Sequence, residues 1–273
     1  MTTTPERFQI TREQAETYEE RFVPALFAQW VAPMLDAVGI GEGQSVLDVA
    51  CGTGILTRHA ADRAGPTGRA TGLDLNQAML DVASRVRPDL SWRRGDVAAI
   101  PFDDESFDVV TCQAALFFFP DVTAALQEMR RVTRPDGTVG VQVFSGIGDQ
   151  PAYGPWIEMV ASHAGEDARQ LLGTYWSQGD TDRLRSRCAE AGLTVSALHD
   201  LERPAYFPSV EAMVLTEVNA TPLADRLGPD QMDRILADSH KVLEQFRTQD
   251  GLTLPLAGSV LIANPAKTDA GRP

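Results

Sequence analysis

The chain has 273 residues, 43% of them hydrophobic, enough for a sizeable core in one large α/β domain or two small ones. Its formal net charge of −14 opposes sequence-independent attraction to phosphate backbones, so DNA and bulk RNA are poor candidate substrates. No apolar run is long enough for a membrane span, and the stretch Met1-Thr2-Thr3-Thr4-Pro5-Glu6-Arg7 lacks the apolar core of a signal peptide, so the expectation is a soluble, cytoplasmic protein. Cys51, Cys112 and Cys188 are too few and too scattered for a disulfide framework or a tetrahedral zinc site; they read as small, buried, reduced thiols.

In chain order, residues 12–38 come first, with Leu26, Phe27, Trp30, Val31, Met34, Leu35 and Val38 at helical spacing on one face. Strand 46–50 leads into helix 55–64, strand 69–74 into helix 77–86, strand 91–94 into a loop, and strand 107–114 into helix 122–133. Pro135-Asp136-Gly137 predicts a turn, with proline fixing φ and glycine supplying a positive φ, before strand 138–144. Helix 180–191, strand 193–200 and a last strand near 258–263 follow. Such alternation requires a mostly parallel sheet with crossover helices. Two insertions interrupt it: 145–179, with Tyr153, Trp156, Tyr175 and Trp176, and about 204–250, with Tyr206, Phe207 and an amphipathic run containing Ile235, Leu236, Val242, Leu243 and Phe246. Ligands of open α/β sheets lie outside the carboxyl ends of the strands, where such insertions make a lid. The same aromatics would equally serve to pack the insertions onto the sheet.

The most informative stretch is Val46-Leu47-Asp48-Val49-Ala50-Cys51-Gly52-Thr53-Gly54, a buried strand that runs into a glycine turn opening a helix. Gly52 and Gly54 allow close backbone approach to a ligand. Thr57 stands where a dinucleotide fingerprint has its third glycine, and Asp48 puts a carboxylate where a pyrophosphate would lie, so a cationic ligand suits the site better than NAD. Asp74 ends the second strand, placed to accept two hydrogen bonds from a ribose diol; alone it would also pass as a helix cap, a task for which Asn76 is better placed. Gly95-Asp96-Val97 ends the third strand, and Gln113 the fourth.

In this order and spacing, the motifs VLDVACGTG, GLDLN, GDVAAIPFDDESFDVV and RRVTRPDGTV resemble those of the class I methyltransferases that use S-adenosylmethionine (SAM). The resemblance covers roughly residues 43–145 and implies a Rossmann-like, seven-stranded, mostly parallel sheet with flanking helices, N-terminal helices and helical lid insertions. It implies one domain: N-terminal helices 1–38, a SAM-binding half 39–145, lids 145–179 and 204–250, and the rest of the sheet in 180–203 and 251–265. By the same likeness, Ala50, Gly52 and Gly54 hold the methionine part of SAM beside Asp48, Asp74 with Leu75 takes the ribose, Asp96 and Val97 flank the adenine, and Gln113 begins the loop beside the methyl group. Tyr18 matches an N-terminal tyrosine that touches the SAM carboxylate in similar enzymes, though a surface tyrosine on an amphipathic helix fits the pattern as well. SAM carries a sulfonium and an ammonium but no phosphate, in keeping with the acidic residues. S-adenosylhomocysteine is the implied product.

The acceptor side is less defined. Phe117 and Phe118 stand where many relatives carry polar or histidine residues, which puts a family-type base in doubt and favours an apolar small-molecule acceptor; a structural aromatic plug fits the same residues. Trp176, Phe207 and Phe246 join them as candidate substrate contacts. His163 and His240, on the insertions, are weak catalytic candidates, and a solvent-facing role suits each. No nucleophilic triad and no metal-ligand spacing stand out. The reading is methyl transfer to oxygen, carbon or nitrogen of a small, largely apolar molecule, catalysed mainly by positioning. The alternative is a SAM-binding protein of the same fold without methyl transfer, a cyclase-type catalyst or a binding module. Oligomeric state is left open.

Overall fold

Runs rich in β-branched residues at 45–49, 107–113 and 138–144 are buried on both sides, which makes them central strands. In the computed structural model, which describes residues 10–219 and 221–266, the strands are β1 (Ser45–Val49), β2 (Arg69–Asp74), β3 (Ser91–Arg94), β4 (Phe107–Gln113), β5 (Thr133–Phe144), β6 (Leu193–Phe207), β7 (Arg247–Thr248) and β8 (Gly251–Pro265). They form one sheet in the order β3-β2-β1-β4-β5-β8-β6, with β7 paired to β8. The first five run parallel, and β8 is antiparallel to both β5 and β6. The order reverses direction between β1 and β4, so the crevice for a ligand opens at their carboxyl ends.

Helices cover both faces. α1 (Arg12–Thr17) and α2 (Ala28–Val38) precede the sheet; α3 (Ile55–Ala64), α4 (Gln77–Val86) and α5 (Val122–Val132) are crossovers; α6 (Tyr153–Ala164), α7 (Glu166–Leu172) and α8 (Thr181–Glu190) follow β5; α9 (Val210–Asn219) and α10 (Pro229–Val242) follow β6. Because side chains alternate along a strand, Val46 and Val109 join Met34, Leu35, Leu56 and Ala60 on one face, while Leu47 and Val110 join Leu126, Met129 and Leu184 on the other. Truncating a side chain such as Leu126 to alanine removes about 2–5 kcal/mol. A third cluster, the largest in aromatic content, joins Phe22, Phe27 and Trp30 to Phe144, Tyr153, Trp156 and Trp176 and to the insertion helices.

The expected helices α3 and α4 and strands β2 and β3 appear with their expected bounds, and Asn76 caps α4 by accepting from the Ala78 amide. Other expectations are corrected. Residues 12–38 are helical but widen into π-helical turns over Tyr18–Phe27, which include Pro24, a residue that cannot donate to an α-helical ladder. Pro135-Asp136-Gly137 is a bulge inside β5, between the pairs Phe107–Thr133 and Val109–Thr138. Gly137 does not have a positive φ; it is needed because a Cβ there would lie 2.7 Å from the Asp108 carbonyl oxygen. The strand expected at 193–200 continues to Phe207, pairing Pro204–Phe207 with Leu252–Pro255 in a ribbon that extends the sheet, so the helical part of the second insertion starts after Phe207. With the short β7, the sheet has eight strands among the described residues where seven are expected.

Candidate cofactor and acceptor site

The backbone at the end of β1 is built for a sharp reversal. Ala50, Gly52 and Gly54 all have positive φ, of 55°, 56° and 85°, and Gly54 opens α3. The two glycines differ in what demands them. Gly52 faces the ring of Tyr18, which a Cβ would meet at 3.6 Å, whereas Gly54 is backed by Trp92, whose indole would stand 2.2 Å from a Cβ. Gly52 thus lies against the N-terminal helical turns and Gly54 against β3. Ala114, just past β4, is a second non-glycine residue held at positive φ, 50°, on the other side of the crevice.

Asp48 lies beneath this turn, only 2% exposed. Its carboxylate accepts from the Thr57 hydroxyl at 2.6 Å and the Thr111 hydroxyl at 3.3 Å. Thr57 therefore has a positive task where a nucleotide fingerprint has glycine. Burial raises the Asp48 pKa to about 7, against the two threonine hydrogen bonds, and the charge of Asp74 adds to the rise. Asp74, at the end of β2, accepts from the Gly52 amide at 2.8 Å on one oxygen and from the Asn76 amide at 2.8 Å on the other. Burial raises its pKa too, while those amides oppose the shift. The Leu75 amide also donates to this carboxylate, which leaves room for a further donor on it. Asp96 caps a short 3₁₀ turn through the Ala98 amide, and Asp96 and Leu75 are exposed along the same edge, with Val97 half-buried.

The π-helical turns lie across the glycine turn. Tyr18 packs on Phe22 and Phe27, with ring centroids 5.9 and 5.3 Å away. Burial raises its phenol well above the ordinary value, so it stays a protonated donor. Glu19 pairs with Arg58 of α3 at 2.9 Å, and Arg58 also donates to the Thr53 carbonyl. Tyr18, Phe27, Asp48, Ala50, Cys51 and Gln113 enclose a cavity of about 20 Å³, closed in by α3 through Ile55 and Leu56. A cavity of about 350 Å³ lies instead at the amino-terminal ends of β2 and β3, lined by Arg69, Arg87 and Asp89. The smaller one holds the relevant chemistry: Gln113, which lines it, has a buried Oε1 with no hydrogen-bond partner, and Glu19 Oε2 and Thr53 Oγ1, on chain neighbours of Tyr18 and Gly52, are likewise buried without one. The carboxylate and amide oxygens suit an ammonium, and the Asp74 carboxylate suits hydroxyl groups. The residues present fit a SAM-like molecule, whose entry requires Tyr18 to move aside.

Thus Tyr18, Asp48, Ala50, Gly52, Asp74 and Gln113 meet at one place, Leu75, Asp96 and Val97 continue it along the edge, and Gly54 supports it from behind. The acceptor candidates are less uniform. Phe117 and Phe118 contact each other at 4.4 Å and both meet Tyr175 edge-on. Trp176 and Phe207 are core residues, 6% and 4% exposed, and Phe246 is half-buried at its margin. His163 and His240 pair with Asp238 and Glu211, at 2.9 and 2.7 Å, on the outside of the insertion helices, and neither lines the cavity. Each instead hydrogen-bonds an acidic side chain on the insertion helices. Sequence reasoning missed Glu19 and Arg58, whose partners lie far apart in the chain, and Glu217 on α9. The signal for Glu217 was legible: a single acid in the run Met213-Val214-Leu215-Thr216-Glu217-Val218. All three cysteines are free and buried, and the described residues contain no group of three or more side chains suited to hold a metal ion. No helix among them is long and apolar enough to cross a membrane.

Comparison with known proteins bears on family and fold. A methyltransferase domain family matches residues 47–141. The ubiquinone/menaquinone biosynthesis C-methyltransferase UbiE of Burkholderia cenocepacia is 36% identical over 188 residues, 63% of this chain and 76% of that protein. The demethylmenaquinone methyltransferase of Lactobacillus johnsonii is 37% identical over 118 residues, 41% of this chain; there the match spans only about half of the relative's length, 48%. Among solved structures, the YcgJ protein of Bacillus shares the fold with a TM-score of 0.60 at 18% identity, over 87% of this chain and 98% of that one.

Proposed function

Because this chain belongs to the class I methyltransferase family, we propose that it moves the methyl group of SAM to a small, largely apolar acceptor, with the aromatic ring of a phenol or hydroquinone as the favoured class. The observation that carries the reading is the joint placement of Gly52, Asp74 and Gln113 at the carboxyl ends of β1, β2 and β4. The C-methyltransferase and demethylmenaquinone methyltransferase names of the relatives support the acceptor class. SAM supplies a methyl group already activated on a sulfonium. The chain's part is to bind and orient: Asp74 holds the ribose hydroxyls, Gln113 Oε1 and Glu19 receive the ammonium, and Tyr18 donates from the N-terminal turns toward the carboxylate. Leu75, Asp96 and Val97 flank the adenine. Holding the acceptor at near-attack distance contributes on the order of 7–11 kcal/mol to lowering the barrier.

On this reading the insertions, 145–179 and the helical part after Phe207 up to 250, supply the acceptor chamber and its lid, with Phe117 and Phe118 at its wall and Trp176, Phe207 and Phe246 setting its shape from the core behind. An acidic chain with three buried free thiols suits action in the cytoplasm on a free small molecule. Calorimetry with S-adenosylhomocysteine, followed by incubation with labelled SAM and a panel of phenols, hydroquinones, fatty acids and amines, tests the reading. Binding without label transfer to any class would favour a SAM-binding role without methyl transfer.

A further inference from the structure

The apolar cluster over the strand ends encloses one carboxyl group with no basic partner. On α9 the buried positions Val210, Met213, Val214, Glu217 and Val218 follow the i, i+3, i+4, i+7, i+8 stripe of a core-facing helix, and Glu217 occupies one of them at 4% exposure. Its Oε1 accepts from the Tyr153 hydroxyl at 2.8 Å. Among the described residues nothing donates to Oε2, and no arginine, lysine or histidine pairs with the group. An apolar side chain would fill this position at lower cost, because a buried carboxyl with a single hydrogen bond carries a desolvation penalty.

The location links it to the methyl site. From Tyr153 the rings run to Trp176 at 5.0 Å, Phe144 at 5.4 Å and Phe27 at 6.4 Å, and Phe27 lines the cofactor cavity. Tyr175, whose phenol pKa is pushed up by burial and by the charge of Glu217, meets Phe117 and Phe118 of the loop after β4 edge-on, at 4.9 and 6.3 Å.

On the methyl-transfer reading, we propose that Glu217 is the general base of the acceptor site, serving an acceptor that carries an aromatic hydroxyl, with Tyr153 as the residue that positions its carboxylate. The hydroxyl proton passes to Glu217, and the ring's electron pair forms the new bond to the methyl carbon as the sulfur–methyl bond breaks. The sulfur keeps that electron pair and becomes a neutral thioether. For methylation at a ring carbon, the hydrogen on that carbon leaves as a proton to solvent water as aromaticity returns, and Glu217 gives its proton back to the ring oxygen, so that one proton is released per methyl transferred. Phe117 and Phe118 leave the usual side of the site without a base, and α9 supplies one from across the chamber. The titratable groups facing Glu217 are Tyr153 from α6 and Tyr175 from the turn after α7. Burial lifts the Glu217 pKa to about 7 and the Tyr153 hydrogen bond opposes the rise, which suits proton abstraction near neutrality.

The test is calorimetry of 4-methylphenol binding to the full chain saturated with S-adenosylhomocysteine, from about pH 5.5 to about pH 8.5, in wild type, Glu217→Gln and Tyr153→Phe. This phenol stays neutral throughout, so its affinity for wild type should rise about tenfold as Glu217 ionises and begins to accept a charge-assisted hydrogen bond. The rise should vanish in E217Q and move to higher pH in Y153F, where the bond that lowers the Glu217 pKa is gone. Turnover of any phenol that wild type methylates should fall about 100-fold or more in E217Q. A flat profile in wild type, or the same limb in all three proteins, would overturn the proposal. If E217Q does not fold, an unmoved limb in Y153F does so alone. Failure of wild type to bind S-adenosylhomocysteine would instead strike the methyl-transfer reading.

Discussion

The half of the chain around the glycine turn and the half made by the insertions solve opposite problems. Around Gly52, backbone amides and short polar side chains converge, with Asp48, Asp74, Thr57 and Gln113 within a few residues of strand ends. Position there follows from the sheet itself. In the insertions, by contrast, aromatic and aliphatic side chains from α6, α9, β6 and the N-terminal turns make a core of their own, in which a few buried polar groups are set, among them Glu217 with Tyr153 and Ser239 with Trp156. On the proposed function, the difference teaches that cofactor recognition is a property of strand ends, while acceptor recognition is a property of packing, open to change by substituting a few side chains.

The comparison breaks most sharply at Gly52. A φ of 56° is strained for a β-branched residue, and its γ-methyl groups would extend from a Cβ already in van der Waals contact with the Tyr18 ring. Gly52→Val is expected to bring S-adenosylhomocysteine binding below detection by calorimetry while far-UV dichroism stays near wild type. Phe207→Ala, in the other half, should do the reverse. Removing a ring that is 4% exposed costs about 3–5 kcal/mol, seen as a fall in Tm, while cofactor affinity per folded molecule is kept.

Glu217→Gln sharpens the contrast through pH. The folded pKa of about 7 is raised above the unfolded 4.5, so the wild-type group favours folding fully only below pH 4.5 and loses that contribution as pH rises through 7. At pH 8 the neutral variant should be more stable by up to about 3 kcal/mol, and the advantage should shrink toward pH 4.5 in thermal melts. The smallest effect belongs to the surface pairs. His163→Ala and His240→Ala should each change stability by about 1 kcal/mol or less and leave turnover unchanged in a labelled-methyl assay, as partly exposed ion pairs do.

How much was legible in the sequence follows the same division. The ends of β1, β2 and β4 were readable because a strand, a glycine turn and an acid at fixed spacing constrain one another locally. The Pro135–Gly137 segment was misread because the partner that demands its glycine, the Asp108 carbonyl, comes from a neighbouring strand. The ribbon at 204–207 was missed for a related reason: its pairing with 252–255 spans a long helical excursion, and the pattern Arg203-Pro204-Ala205-Tyr206-Phe207 looks like a loop. Histidines drew attention as candidates by residue type alone, and Glu217 escaped it because its importance rests on the burial of a helix stripe.

The central claim is that cofactor binding resides in Asp74 and the turn it holds, while Glu217 serves the acceptor. The most direct measurement is S-adenosylhomocysteine calorimetry on wild type, Asp74→Ala and Glu217→Gln under one condition. The account predicts that D74A loses about 1.5–3 kcal/mol of binding, roughly ten- to 150-fold, as the ribose hydroxyls lose a charge-assisted acceptor, and that E217Q binds like wild type. Unchanged affinity in D74A, or a loss of that size in E217Q, would contradict it.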